Sequence, residues 1–300
     1  MSFVTIDQFG EVIDPVTNYF DEKKTRELIS SQLKARLEFT IQEKTIPGGD
    51  LKFMVVITSI TDFHTKAKGD FLFGLEKCST AGLYEILDYT TKQLTGYSCT
   101  FSLENKTGPT NVQIKTMWIL DEYQKLMKQF LLDNKLKLKA PTLEDSDLRD
   151  SKVNLLHKAK DFTTKVIKEN AKFGLKTKCL WYKGKDETKE AKMITKFIKS
   201  EQEFVLDANG NKIKDKNGKY VTREIPIEYK ELIEKPFTAL PTVHLKGFFF
   251  GALAKAFQSV LFDTLVYPSE GYGNRFRKAH VPETDDEPEH KEGNSHDIEL

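Results

Sequence analysis

Residues 172–199 read KFGLKTKCLWYKGKDETKEAKMITKFIK. The stretch carries nine lysines, no arginine and three acidic residues, with Phe173, Trp181, Tyr182 and Phe197 set among the charges. Its first half alternates with the period of a strand. Leu175, Thr177, Cys179 and Trp181 fall on one side, and Lys176, Lys178, Leu180 and Tyr182 on the other. One side suits a core and the other suits an anion. Lysines on such a face neutralise phosphates, and an aromatic ring beside them stacks on a base. The same alternation also describes an edge strand whose lysines discourage pairing with another chain. On the first account Lys176, Lys178, Lys183, Lys185, Lys192 and Lys196 track phosphates, Tyr182 stacks, and Trp181 anchors the strand to the core.

Outward from this stretch, the spacing of Val153, Leu156, Phe162, Val166 and Ile167 predicts an amphipathic helix over 151–170, ended by Gly174. The preceding segment, 134–150, is polar, contains Pro141 and reads as a linker or excursion. Further helices are expected from Ser79 or Thr80 through Leu94 and over 121–133, with a short polar one over 21–32. Strand patterns occupy Leu33–Ile41, Leu51–Ile60, Asp70–Glu76, Tyr97–Leu103 and Asn111–Leu120, and then Glu203–Leu206, Lys219–Arg223, Thr242–Phe250 and Ala256–Tyr267. The segments 207–211 (DANGN) and 215–218 (DKNG) look superficially like calcium loops. Their glycines sit at the wrong offset and no glutamate closes a twelve-residue loop, so they read as tight turns. Roughly nine or ten short strands with about three helices, and no βαβ alternation, predict an α+β domain built on a mostly antiparallel, curved or barrel-like sheet.

With 300 residues, 39% hydrophobic and 30% charged, the chain has the composition of a soluble globular domain. No apolar run is long enough to span a bilayer, and the N-terminus lacks the order of a signal peptide. Cys78, Cys99 and Cys179 are an odd number without a CxxC, which predicts reduced thiols in an intracellular compartment. The chain has no phosphate-binding glycine loop, nucleophile elbow, HExxH or zinc-deaminase motif, and its six histidines show no ligand spacing. Neither an enzyme nor a resident cofactor or metal is expected.

The net charge of +1 conceals a division. Residues 283–300 hold eight carboxylates against Lys291, a net of −7, which leaves 1–282 at +8. A basic domain over 1–282 is therefore followed by an acidic tail expected to be disordered. Asp285, Asp286 and Glu287, and the terminal Asp297, Ile298, Glu299 and Leu300, suit competition for a basic groove and docking on a partner protein. A tail that merely solubilises has the same composition. Within the domain, strand parity over Val243–Phe250 puts His244, Lys246, Phe248 and Phe250 on one face. Lys246 and Phe248 would extend the binding path, unless the strand is buried on both sides. Gly247 and Gly251 mark bulges or close approaches of backbone.

A basic, aromatic-lined domain with an acidic C-terminal tail resembles the OB-fold single-stranded DNA-binding proteins of phages and large nucleocytoplasmic DNA viruses. The resemblance is carried by VLDANGNKIKDKNGKYV, IEYKELIEKPF and PTVHLKGFFFGALAKAFQSVLFDTLVYP within Glu203–Tyr267, about the last third of the chain. It implies an OB-like β-barrel core and sequence-independent binding of single-stranded DNA in replication, recombination and repair. It also implies that the tail contacts replication proteins, at the site of viral or phage DNA synthesis. RNA as a second ligand and a homo-oligomeric state are left open. A reading from another class is a viral structural or assembly protein whose basic strand meets an acidic partner.

Overall fold

The structure, a computed structural model, describes residues 2–45, 52–88, 90–105, 108–149, 153–158, 172–182, 191–207, 210–251 and 254–267. Strand β1 (Ser2–Thr5) is followed by helix α1 (Glu22–Arg36), whose last residue leads directly into β2 (Leu37–Thr45). The carboxylate of Asp21 caps α1 by accepting from the Lys24 amide. Next come β3 (Lys52–Thr61), β4 (Lys68–Gly74), β5 (Cys78–Leu87), β6 (Leu94–Ser102) and the long helix α2 (Asn111–Asp133). The second half contains β7 (Leu156–Lys158), β8 (Phe173–Cys179), β9 (Trp181–Tyr182), β10 (Lys192–Met193), β11 (Lys196–Phe204) and β12 (Thr222–Pro226). It ends in two long strands, β13 (Phe237–Phe250) and β14 (Lys255–Tyr267). The class is α+β with strand predominating, as expected, and residues 1–269 form one compact unit. The acidic tail lies outside the described residues.

Local signals misplace several elements. The helix expected through Leu94 is instead the hairpin β5–β6. Pairing shifts between Thr80↔Phe101 and Leu83↔Cys99, so Ala81 and Gly82 form a bulge that breaks the two-residue period. Gly82 has φ +117°, and a β-carbon there would lie 2.6 Å from the Lys235 amide nitrogen. The strand expected over 111–120 is the first half of α2. A capping box starts it: the Gln113 amide donates to Thr110 Oγ1 at 3.2 Å, and the Thr110 amide donates to Gln113 Oε1 at 3.1 Å. Its buried residues Thr116, Ile119, Leu120, Tyr123, Met127 and Leu131 then follow helical spacing. Residues 134–149 are no linker, because Leu138, Leu143 and Leu148 are buried in the main core. Of the helix expected over 151–170, residues 156–158 are strand β7, paired with β8; positions 151, 152 and 159–170 lie outside the described residues. Among the described residues there are two α-helices.

Strand pairing organises the chain around β13. Along one edge β13 pairs with β14 for nearly its whole length. Along the other it meets β5 at Phe237–Ala239, β4 at Thr242–His244 and β3 at Gly247–Phe250. On the N-terminal side β3 pairs with β2 and β4, and β4 pairs in parallel with β1. The helices cover this layer. Ile29 and Leu33 of α1 and Ile119, Tyr123 and Met127 of α2 share a core with Phe71 and Phe73 of β4 and with Val243, Leu245 and Phe248 of β13. Tyr123, fully buried, shares a 2.8 Å hydrogen bond with Thr58 Oγ1, so its hydroxyl is satisfied.

The second assembly is a closed circuit of hydrogen-bonded neighbours: β5 to β6, β6 to β8, β8 to β14, β14 to β13 and β13 back to β5. All of these pairs are antiparallel except β8–β14. Every strand of the circuit contributes to one buried cluster. It includes Leu83, Cys99 and Phe101, Cys179, Phe237 and Ala239, and Leu261. Among the described residues no helix is long and apolar enough to cross a membrane.

Candidate nucleic-acid interface

On β8 the alternation is regular: Leu175, Thr177 and Cys179 are buried, whereas Lys176 and Lys178 are exposed. Register carries their face across the neighbouring strands. Lys176 lies opposite Thr100 and Lys178 opposite Ser98 on β6, and Ser98 lies opposite Tyr84 on β5. Directly opposed residues share a face, so Tyr84, Ser98 and Lys178 form one row. The centre of that row is a small side chain, and Tyr84 and Lys178 stand roughly 10 Å apart at the backbone. Tyr84 is 38% exposed, and burial followed by the Glu234 carboxylate pushes its phenol up. The helix expected over this segment hid Tyr84. Its signal is the recovery of strand parity after Gly82.

In the other direction Lys178 lies beside Val260 of β14, and Val260 lies opposite His244 of β13. The Ser259 hydroxyl donates to the Lys176 carbonyl at 2.6 Å, tying β8 to β14. Lys246, two residues beyond His244, is exposed. An exposed lysine of β13 therefore stands two residues along the strand from the row that leads from Lys178 through Val260 to His244. Burial holds the His244 imidazole below its usual value, with Asp70 opposing and Lys246 reinforcing the shift. No carboxylate among the described residues pairs with Lys176 or Lys178.

Phe248 does not belong to this face. It is fully buried, as Leu245 is, although the two are three residues apart on one strand. Leu245 pairs with Ser259 and Gly247 with Gln258, so Lys246 is an extra residue in a bulge. The bulge reverses parity and turns Phe248 and Phe250 inward, where Phe248 packs edge-on against Phe257 at 5.1 Å between ring centres. Phe248 therefore offers no ring face to a ligand.

After β8 the chain leaves the edge of β14, forms the pair β9–β10, and returns. Thr195 closes the base of this excursion: its hydroxyl accepts from the Leu180 amide at 2.7 Å and donates to the Leu261 carbonyl at 2.6 Å. Trp181 lies opposite Met193 and Tyr182 opposite Lys192. Trp181 packs edge-on against Tyr97 at 5.1 Å and Tyr229 at 5.9 Å, against the cluster inside the circuit. Tyr182, the next residue, is half-buried beside Lys192. Lys196 is exposed on β11 with Asp263 alongside it on β14, so its charge has an acidic neighbour. Lys183 and Lys185 lie outside the described residues.

Burial pushes the Cys78 and Cys179 thiols up and the Cys99 thiol to about 12, so none is a thiolate at neutral pH. Among the described residues no group of three histidine, cysteine or carboxylate side chains is placed to hold a metal ion. Compared with models of known protein families and with curated proteins, the chain matches none.

Proposed function

We propose that this protein binds single-stranded nucleic acid, DNA before RNA, with little sequence preference, in support of DNA replication, recombination and repair. One observation carries it: Lys176 and Lys178, without an acidic partner among the described residues, stand on a strand face that register joins to Tyr84 on one side and, through Val260, to His244 on the other, two residues from the exposed Lys246. The connectivity supports it too. Numbered along the chain, the circuit runs first, second, third, fifth, fourth and back to first, with the third and fifth strands parallel. We read this order as OB-like: an OB-fold is a five-stranded Greek-key barrel whose second and third strands present the face that takes oligonucleotides. Those strands here are β6 and β8, the pair that carries Lys176 and Lys178.

On this reading the lysines follow phosphates while Tyr84 and Tyr182 stack on bases. The tail over 283–300 opposes the basic face and engages replication proteins. Titration of a labelled oligo-dT at several salt concentrations tests the proposal. The expected result is an affinity that falls linearly on a log–log plot as salt rises. Affinity indifferent to salt, or no binding, overturns it. Deletion of 283–300 is expected to tighten binding.

A further inference from the structure

Between β11 and β12 one pair of hydrogen bonds is made twice. The Asp207 amide donates to the Asn211 carbonyl at 2.8 Å and the Asn211 amide to Asp207 Oδ1 at 2.8 Å. Eight residues on, the Asp215 amide donates to the Lys219 carbonyl at 2.7 Å and the Lys219 amide to Asp215 Oδ1 at 2.9 Å. Three segments meet here. The Val205 amide donates to the Val221 carbonyl, Val221 to Ile213, and Ile213 to Val205, each at 2.9 Å. The tip is therefore held by its own hydrogen bonds beyond the edge of the sheet.

It places large apolar side chains in water: Phe204 is 38% exposed, Leu206 54% and Tyr220 51%. Phe204 and Tyr220 meet edge to face at 5.6 Å. Lys212 Nζ stands 3.7 Å from the Phe204 ring centre, and Lys214 Nζ stands 5.0 Å from that of Tyr220. Over 204–222 four lysines face two aspartates, a net of +2, and both aspartates direct a carboxylate oxygen at a turn amide. Aromatic faces that already hold an ammonium match the chemistry of a nucleotide. The base takes the ring, and the ammonium moves to the phosphate.

We propose that this tip is a second contact for the same single strand, with Phe204 and Tyr220 stacking on bases and Lys212 and Lys214 bonding phosphates. The inference rests on the function proposed above. Geometry supports continuity of the path. Both β8 and β11 run parallel to β14 along one of its edges, at Val260–Leu261 and then Asp263–Val266. At the rise of a strand, the tip lies at most about 35 Å beyond Lys178. A stacked strand covers that distance with roughly ten nucleotides.

The test compares oligo-dT of about six and about 25 nucleotides, sizes within and beyond the span of a single OB face. Wild type is set against the double variant Phe204→Ala/Tyr220→Ala, with thermal unfolding as the control for folding. The expected result is an affinity for the long oligonucleotide about tenfold lower or more, and an unchanged affinity for the short one. Lys212→Glu/Lys214→Glu is expected to reduce the salt slope on the long oligonucleotide only. In addition, a 5-bromodeoxyuridine oligonucleotide is expected to cross-link to Tyr220. Wild type that binds both lengths, with a folded variant that loses nothing on the long one, overturns the tip alone. Wild type that binds neither length overturns the functional reading and the tip with it.

Discussion

Gly247 of β13 lies against the backbone of Val56 of β3 so closely that a β-carbon at 247 would sit 1.8 Å from the Val56 carbonyl oxygen. The residue also has φ +139°, which L side chains rarely adopt. Gly247→Ala is therefore expected to cost more than about 2 kcal/mol in urea unfolding. Gly210→Ala provides the contrast, because φ is +83° there but no atom lies within 4 Å of the added carbon. Its cost should be about 1 kcal/mol, that of the backbone conformation alone. Equal losses at the two sites would show that the contact with Val56 is not what excludes a side chain.

Tyr84 and the two β8 lysines should separate cleanly by assay. Tyr84→Ala is expected to weaken binding of an oligo-dT about tenfold or more through loss of stacking, while Tyr84→Phe, which keeps the ring, retains most of it. Lys176→Ala and Lys178→Ala should each reduce the slope of log affinity against log salt by about 0.7, with little change in unfolding midpoint. An alanine at 84 that binds as well as wild type would remove the β5 end of the interface.

His244 gives a pH dependence of known sign. Its imidazole is depressed in the folded chain, so between that folded value and the unfolded value of 6.5 the unfolded chain binds more protons. The stability that comes from keeping it neutral is present above the unfolded value and is lost as pH falls toward the folded one. The slope approaches at most about 1.4 kcal/mol per pH unit in that window. Denaturation at pH values from about 7.5 downward, a range set by ordinary histidine titration, should show a steeper loss in wild type than in His244→Gln. Parallel curves would place the titrating group elsewhere.

The cysteines make a check on the interior of the circuit. All three are free and buried, and a thiol held well above neutrality by burial reacts slowly. Dithionitrobenzoate is expected to label none of them in the folded chain at neutral pH, and all three in guanidinium. Rapid labelling of one thiol under native conditions would reveal an opening in that cluster.

Where one face of a strand is buried and the strand has no bulge, its structure was legible residue by residue. On β8 the lysines are out and Leu175, Thr177 and Cys179 are in, and Trp181 packs against the same buried cluster. Parity fails wherever an extra residue enters the ladder. The bulge at Lys246 turned Phe248 into the core, and the bulge at Ala81–Gly82 buries both Thr80 and Leu83, three residues apart, while Leu83, Ile86 and Leu87 happen to follow a helix-like spacing. That spacing also hid Tyr84. The start of α2 was present in the sequence as Thr110-Asn-Val-Gln113, a capping box that apolar periodicity over 111–120 outweighed. The closed circuit depends on pairings between strands more than a hundred residues apart, such as β5 with β13, and no local pattern encodes them.

The role of β13 as a shared strand has a consequence for synthesis. The strands it joins on one edge, β3, β4 and β5, all precede residue 88, whereas β13 is complete only at Phe250. At ribosomal speeds of roughly 5–20 residues per second, β3 waits about 10–40 s for its partner. Through that interval Val56, Phe71 and Phe73 lack the side chains of β13 that cover them in the finished core. A nascent chain in this state exposes apolar strand edges and invites a chaperone or aggregation. Neither layer can close early, so the two assemblies are expected to reach the native state in one late, slow step dominated by long-range pairing.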